Sequence, residues 1–192
     1  LTAPQSKPWR VGIAGGWTVG YLGVLAHHGM PAERILETEV MNATSLAAYD
    51  CIILGERNGR NASAWQPLEE YVRAGGCLLC ETMPYPAESA IPGGRLKPGR
   101  VPNIRFEDAI SPITQGLDYR RVIPMATRGG CSIIPAPGSG TVVLARYTYD
   151  GIDARTRERV DGHFLDEEGG TYKGRGAPAI IMRHVDKGIL VY

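Results

Sequence analysis

Two neighbouring segments decide the fold: YDCIILGE at residues 49–56 and LEEYVRAGGCLLCET at residues 68–82. Their runs CIIL and CLLC are short, apolar and bounded by glycine or polar residues, which is typical of buried parallel strands. Between these runs, Trp65, Leu68, Tyr71 and Val72 share one face of a predicted helix that ends at the GG pair. Strand, helix and strand in this order predict an α/β fold with a parallel sheet.

The residues on the N-terminal side extend the same pattern. The run WRVGIA at residues 9–14 predicts a buried strand, and Thr18 is the predicted N-cap of a helix that closes at Gly29. A weaker strand is predicted at residues 35–41, and residues 45–49 are predicted to be a short connector. This half of the chain therefore alternates strands with helices or connectors.

The C-terminal half is irregular. Residues 84–102 hold eight Gly or Pro among nineteen positions, which predicts a long loop. Strands are predicted at residues 122–125, 132–134 and 141–149, before a polar insertion at residues 151–176 with eleven charged side chains. The runs AIIM and ILVY flank Asp186, Lys187 and Gly188, which predicts a closing hairpin.

Composition bounds the class of protein. The 192 residues include 25 Gly and 14 Pro, but apolar residues make up 43% and the formal net charge is +1. A disordered chain would combine low apolar content with a high net charge, so we predict a globular protein with one domain over residues 1–192. The near-neutral charge argues against nucleic-acid and anionic-membrane partners, and no apolar run is long enough to span a membrane.

The cysteines and the termini constrain the cofactors and the compartment. Four cysteines in a chain of this length do not indicate a disulfide scaffold. Cys77 and Cys80 match C-x-x-C, but residues three apart in a strand point to opposite faces, and no second pair follows at zinc spacing. We therefore expect no metal or nucleotide cofactor. The chain does not begin with Met, so a cytoplasmic location and export after signal removal both stay open. The sequence stops inside the last predicted strand, where this fold type normally adds a helix, so a truncated chain, a disordered tail and a piece of a longer protein are the alternatives.

The quoted segments resemble the class I glutamine amidotransferase-like superfamily, above all its trehalose-utilisation-type members and the middle domain of certain β-galactosidases. SPITQGL at residues 111–117 and APAIIMRHVDKGILVY at residues 177–192 resemble a turn and a closing hairpin of those families. The resemblance implies a flavodoxin-like, mostly parallel sheet with helices on both faces and an irregular, partly antiparallel C-terminal half. It also implies a carbohydrate-related role.

Cys80 is the candidate nucleophile. Catalytic members of the superfamily place a nucleophilic Cys on a tight turn after the strand that begins here at Cys77, and the resemblance puts Cys80 near that point. Their His-x-Glu unit has its nearest counterpart in His184-Val185-Asp186, inside the predicted hairpin. A nucleophile elbow needs small neighbours, and none flanks Cys80, so a buried structural cysteine is the competing interpretation.

Polar and turn residues follow three of the predicted strands, where ligands of open α/β sheets bind. The predicted rim consists of Gly15, Gly16, Trp17, Glu56, Arg57, Asn58, Glu81 and Thr82. Backbone N–H groups at the first helix suit an anion or a substrate oxygen. Glu56 and Glu81 could act as an acid–base pair, or bind sugar hydroxyls beside the Trp17 ring. A tight strand-to-helix turn and a solvated turn are the competing interpretations.

Three hypotheses follow. The first is a glutamine-amidotransferase-like domain without glutaminase activity, which binds a small carbohydrate-like ligand or serves as an interaction module in a larger carbohydrate-active protein. The second is a Cys-dependent hydrolase or amidotransferase with Cys80 as nucleophile and His184 as base. The third is a structural domain that forms homo-oligomers.

Overall fold

The computed structural model describes residues 9–15, 18–36, 40, 42–55, 65–81, 94–99, 103–107, 114, 117, 122–124, 130–148 and 178–192. The chain divides into two compact units, one formed by Leu1–Ile91 with His184–Val191 and the other by Pro92–Arg183 with Tyr192. No helix in these ranges is both long enough and apolar enough to cross a membrane.

Helices and strands alternate up to residue 81, and the elements described after that residue are strands. The helices are α1 (Thr18–His27), α2 (Ala43–Leu46) and α3 (Trp65–Ala74). The strands are β1 (Val11–Ala14), β2 (Ala32–Arg34), β3 (Cys51–Leu54), β4 (Cys77–Cys80), β5 (Gly94–Gly99), β6 (Asn103–Phe106), β7 (Val122–Pro124), β8 (Gly130–Pro135), β9 (Val142–Thr148), β10 (Pro178–Val185) and β11 (Gly188–Val191). The prediction of an α/β protein is confirmed.

The first unit is built on parallel strands in the order β2-β1-β3-β4-β11. One register row runs across it, in which Ile52 pairs with both Gly12 and Leu78, and Leu78 pairs with Leu190. Ile52, Leu78 and Leu190 have no exposed surface, and α3 lies against β4 and β11. These side chains belong to the core of the unit. Their burial stabilises the fold because it removes apolar surface from water.

The opposite face of the same strands packs against α1. Val11, Ile13 and Ile53 form a buried cluster with Leu25 of α1, and Leu79 lies at its margin, half-buried. Alternate residues of a strand point to opposite faces, so β3 and β4 contribute to both layers. The continuous apolar sequence of these strands follows from this two-sided burial.

Helix α3 ends in a compact turn that leads directly into β4. Gly76 N–H donates to the Tyr71 carbonyl at 3.0 Å, and Gly75 has φ +121°, a conformation that glycine adopts most easily. The Tyr71 hydroxyl donates to the carbonyls of Tyr49 and Cys77 at 3.2 and 3.3 Å. One phenol therefore joins the segments that enter β3 and β4.

The second unit is antiparallel. Its strands pair in the order β10-β9-β6-β7, and β5 pairs with β8 in a separate two-stranded ladder. Asn103 at the start of β6 is buried, as are Leu144 and Ala145 of β9.

Three local predictions differ from the structure. The weak strand predicted at residues 35–41 is β2, which lies earlier at Ala32–Arg34, where the side chains are exposed or half-buried and the apolar signal is weak. The predicted connector at residues 45–49 overlaps α2, whose N-cap Asn42 accepts a hydrogen bond from Thr44 N–H at 2.9 Å. The predicted loop at residues 84–102 contains β5.

The closing hairpin is confirmed. Ile181 and Tyr192 exchange both backbone hydrogen bonds, at 2.8 and 3.0 Å, and the chain turns at Asp186 and Lys187, with Asp186 at φ 51°. The predicted polar insertion at residues 151–176 lies outside the described residues.

Candidate functional site

The carboxyl ends of β1, β3 and β4 meet at one edge of the first unit. Gly55 N–H donates to the Ala14 carbonyl at 2.9 Å, and Glu81 N–H donates to the Leu54 carbonyl at 2.9 Å. These two bonds continue the parallel ladder by one step beyond the strands. Residues that follow the strands are thus held at a common rim by backbone contacts.

Gly15 makes the turn from β1 into α1. Its φ of 91° lies in the region that disfavours residues with a Cβ atom, and its carbonyl accepts a hydrogen bond of 2.6 Å from the Thr18 hydroxyl. Thr18 is the first residue of α1 and is buried. The Gly15 turn thus fixes where the helix starts relative to the rim.

Glu81 interacts with a tyrosine from α1. The Tyr21 hydroxyl, one turn after Thr18, hydrogen-bonds to the Glu81 carboxylate. Burial of the phenol, with the hydrogen bond and the negative charge of Glu81, raises the pKa of Tyr21 above its ordinary value. Tyr21 therefore stays protonated and can donate to Glu81.

The second carboxylate oxygen of Glu81 is the most informative atom at the rim. Glu81 Oε2 is buried and has no hydrogen-bond partner among the residues that the structure describes. A buried polar atom without a partner costs free energy, and a carboxylate oxygen costs more than a neutral group. A buried polar atom without a partner therefore needs a specific explanation. A ligand that donates a hydrogen bond to Oε2 would be such an explanation.

The predicted rim is only partly within the described residues. Gly15 and Glu81 lie at the carboxyl edge, as the sequence predicted. The other predicted members fall outside the described ranges: Gly16, Trp17, Glu56, Arg57, Asn58 and Thr82. Tyr21 was not predicted. Its only sequence signal is its place one turn into a helix that begins at the rim.

Cys80 is the last residue of β4 and is 4% exposed. The nucleophile of an elbow sits on a sharp, strained turn between strand and helix, whereas Cys80 lies within the extended strand. Its thiol therefore has the environment of a core residue at the end of a buried strand.

His184 lies at the other end of the strands. It is exposed on β10, and the hairpin register sets it opposite Ile189, which pairs with Cys77 at the start of β4. Cys80 is three residues further along β4, about 10 Å away along the strand direction. The structure does not bring Cys80 and His184 together.

A separate cavity opens at the amino edge of the first unit. It has a volume of about 590 Å³. Its lining combines aromatic, small and acidic residues: Trp9, Ala43, Ala47, Tyr49, Asp50, Glu70, Tyr71, Ala74, Gly75 and Gly76. Gly15 and Glu81, the predicted rim residues that the structure describes, do not contribute to it. Among the described residues, His, Cys, Asp and Glu form no cluster of three that could hold a metal ion.

Comparison with known proteins shows the fold. No protein-family model matches the chain, and no curated protein matches it. Among solved structures, a ThuA-like protein from Bacteroides uniformis superposes with a TM-score of 0.61 at 12% identity, covering 100% of this chain and 83% of that one. The fold resembles that of ThuA-like proteins. A cytoplasmic protein from Salmonella typhimurium gives a TM-score of 0.60 at 11% identity, with 95% and 85% coverage.

Larger proteins contain a similar domain. A β-galactosidase from Bacillus circulans superposes with a TM-score of 0.56 at 16% identity. The match covers 95% of this chain and 28% of the galactosidase. At these identities the likeness establishes a shared fold and leaves the chemistry to be argued from the site.

Proposed function

We propose that this domain binds a polyhydroxylated, carbohydrate-like ligand at the carboxyl edge of its parallel strands, and that it is not a glutaminase. The observation that carries the proposal is Glu81 Oε2, which is buried and has no partner among the described residues. Glu81 directly follows β4, at the edge where open α/β sheets bind their ligands.

The chemistry of this position suits a hydroxyl donor. An ionised carboxylate can only accept hydrogen bonds, and Tyr21 already donates to the Glu81 side chain. Oε2 is then available to a ligand O–H. A hydrogen bond that involves a charged group contributes more than one between neutral groups, so a single sugar hydroxyl would be held firmly here.

The names of the structural neighbours support the choice of ligand class. Besides the galactosidase described above, they include a carbohydrate deacetylase with a TM-score of 0.54 at 15% identity. This chain spans 28% of that deacetylase, so the activity of the whole protein is not transferred to it. We infer only the class of ligand from these neighbours. In one case this domain binds the carbohydrate itself, and in the other the domain is an interaction module of a larger protein that acts on carbohydrate.

The position of Cys80 supports the absence of glutaminase activity. Its thiol is buried in a strand, and His184 lies near the opposite end of β4. A cysteine nucleophile needs a nearby base or positive charge to become a thiolate at neutral pH, and His184 does not supply it.

The proposal is tested by ligand-observed NMR with galactose, lactose and trehalose as probes. We expect at least one probe to bind, and Glu81→Gln to weaken that binding about 10- to 100-fold, as the loss of a charge-assisted hydrogen bond implies. Tyr21→Phe should weaken binding less, because it removes only the group that positions the carboxylate.

Two controls make the test specific. Glu70→Gln changes an exposed carboxylate of α3, which accepts from Gln66 Nε2 at 3.0 Å, and should leave binding unchanged. The unfolding temperature of Glu81→Gln should not fall, because the variant removes a buried negative charge. Wild-type protein that binds none of the probes, or Glu81→Gln that binds as well as wild type, would overturn the proposal.

A further inference from the structure

Two cysteines stand side by side at the amino ends of neighbouring strands. Cys51 is the first residue of β3 and Cys77 the first residue of β4, and they are register partners in the parallel pair. Partners in adjacent strands project from the same face, with the strands about 4.8 Å apart. Disulfides join Cα atoms about 4.4–6.8 Å apart, so this pairing meets the main geometric requirement.

The two thiols also contact each other and are partly accessible. Their side chains hydrogen-bond to one another, and both residues are half-buried with free thiols, whereas Cys80 is buried. The contact raises the pKa of Cys51, which holds the shared proton, and lowers the pKa of Cys77, which receives the hydrogen bond. The contact therefore favours ionisation of one thiol of the pair while the other keeps its proton.

The surroundings hold both strand starts in place. The Tyr71 hydroxyl donates to the Cys77 carbonyl at 3.3 Å and to the carbonyl of Tyr49, two residues before Cys51, at 3.2 Å. Asp50 N–H and Cys51 N–H both donate to the Arg10 carbonyl, at 2.9 and 3.3 Å. The backbone that carries the two sulfurs is thus restrained on both strands before any bond forms.

We propose that Cys51 and Cys77 form a thiol-pair modification site, oxidised to a reversible disulfide between β3 and β4 by a small-molecule disulfide such as oxidised glutathione. The thiolate of one cysteine attacks one glutathione sulfur, which forms a mixed disulfide and releases one glutathione thiolate. The other cysteine then loses its proton, attacks the protein sulfur of the mixed disulfide and expels the second glutathione. The two protein thiols are oxidised by two electrons, and the glutathione disulfide is reduced to two thiols.

This site is separate from the proposed ligand site. It lies at the amino ends of β3 and β4, whereas Glu81 follows the carboxyl end of β4. A bond across two adjacent strands has restricted geometry, so we expect it to be reopened by reduced glutathione, as strained disulfides are.

The experiment is peptide mapping of the folded protein after incubation with oxidised glutathione at pH 8. Tryptic cleavage places Cys51 in the peptide 35–57 and both Cys77 and Cys80 in the peptide 74–95. We expect a mass loss of about 2 Da and a link between these two peptides, because each thiol gives up one hydrogen. Cys80→Ser serves as the matched control and should retain the link, while Cys77→Ser should lose it.

Three outcomes would overturn the inference. They are a link that survives in Cys77→Ser and disappears in Cys80→Ser, stable glutathione adducts on Cys51 or Cys77 without a link, and no reaction of either thiol. The wild-type map alone decides the second and third outcomes, so the inference stays testable even where a serine variant folds poorly. The link should also open when reduced glutathione is added in excess.

Discussion

Replacement of Gly188 by alanine is expected to destabilise the first unit by about 3 kcal/mol, in the upper part of the range for overpacked cores. Gly188 begins β11, and a Cβ atom there would overlap the Val72 carbonyl oxygen and lie 2.5 Å from the Gly76 carbonyl oxygen. Both obstacles are backbone atoms, one in the last turn of α3 and one in the turn that follows it, and they cannot rotate away as a side chain can. The Ile189 N–H to Gly76 carbonyl bond of 3.1 Å would be displaced as well.

Thermal unfolding measures this effect, with a matched glycine as control. Gly23 lies inside α1, and a Cβ atom there meets nothing within 4 Å. Gly23→Ala should therefore stabilise the protein by up to about 1 kcal/mol, since alanine is the better helix former. For a chain of this size, we expect Gly188→Ala to unfold roughly 6–12 °C lower than wild type. Equal unfolding temperatures for Gly188→Ala and wild type would contradict the close approach of β11 to α3.

Truncation of Leu78 is expected to cost about 2–5 kcal/mol, as for other buried leucines. Leu78 is 0% exposed in β4 and has neighbouring strands on both sides, with Ile52 and Leu190 as its partners. Alanine at this position leaves a cavity between the sheet and its helix layer, and the paired strands restrict how far the site can collapse.

The adjacent leucine provides the comparison. Leu79 points to the opposite face, where it is half-buried at the margin of the α1 cluster. Leu79→Ala should therefore cost clearly less than Leu78→Ala in urea unfolding, with both variants exposing similar surface on unfolding. A larger loss for Leu79→Ala would mean that the two faces of β4 have been assigned the wrong way round.

The parallel half of the fold was predictable because its signals are local. The runs CIIL and CLLC are continuous apolar segments because these strands are buried on both faces. Helix α3 has a clear apolar face, and the helix ends just before Gly75 and Gly76. By contrast, β2 has the sequence AER at Ala32–Arg34. Its parallel pairing with β1 uses backbone groups, and its side chains are not apolar enough to mark it as a strand.

The sequence predicted where the candidate site lies, but it did not predict all the residues that form it. Gly15 and Glu81 could be assigned to the rim because each directly follows a strand. The contact between Tyr21 and Glu81 joins residues 60 positions apart and depends on how α1 lies over the sheet. No local pattern encodes such a contact. For the same reason, the pairing of Cys51 with Cys77 follows from strand register, which the sequence alone did not supply.

The proposed ligand site is tested most directly by mapping the amide chemical shifts of isotope-labelled protein during titration with galactose, lactose or trehalose. We predict that the perturbed amides are those of Gly15, Tyr21 and Glu81 at the carboxyl edge. The amides of Asp50 and Gly75, which line the cavity at the amino edge, should not move. Perturbations confined to the amino-edge cavity, or none with any of the three sugars, would contradict a carbohydrate site at Glu81.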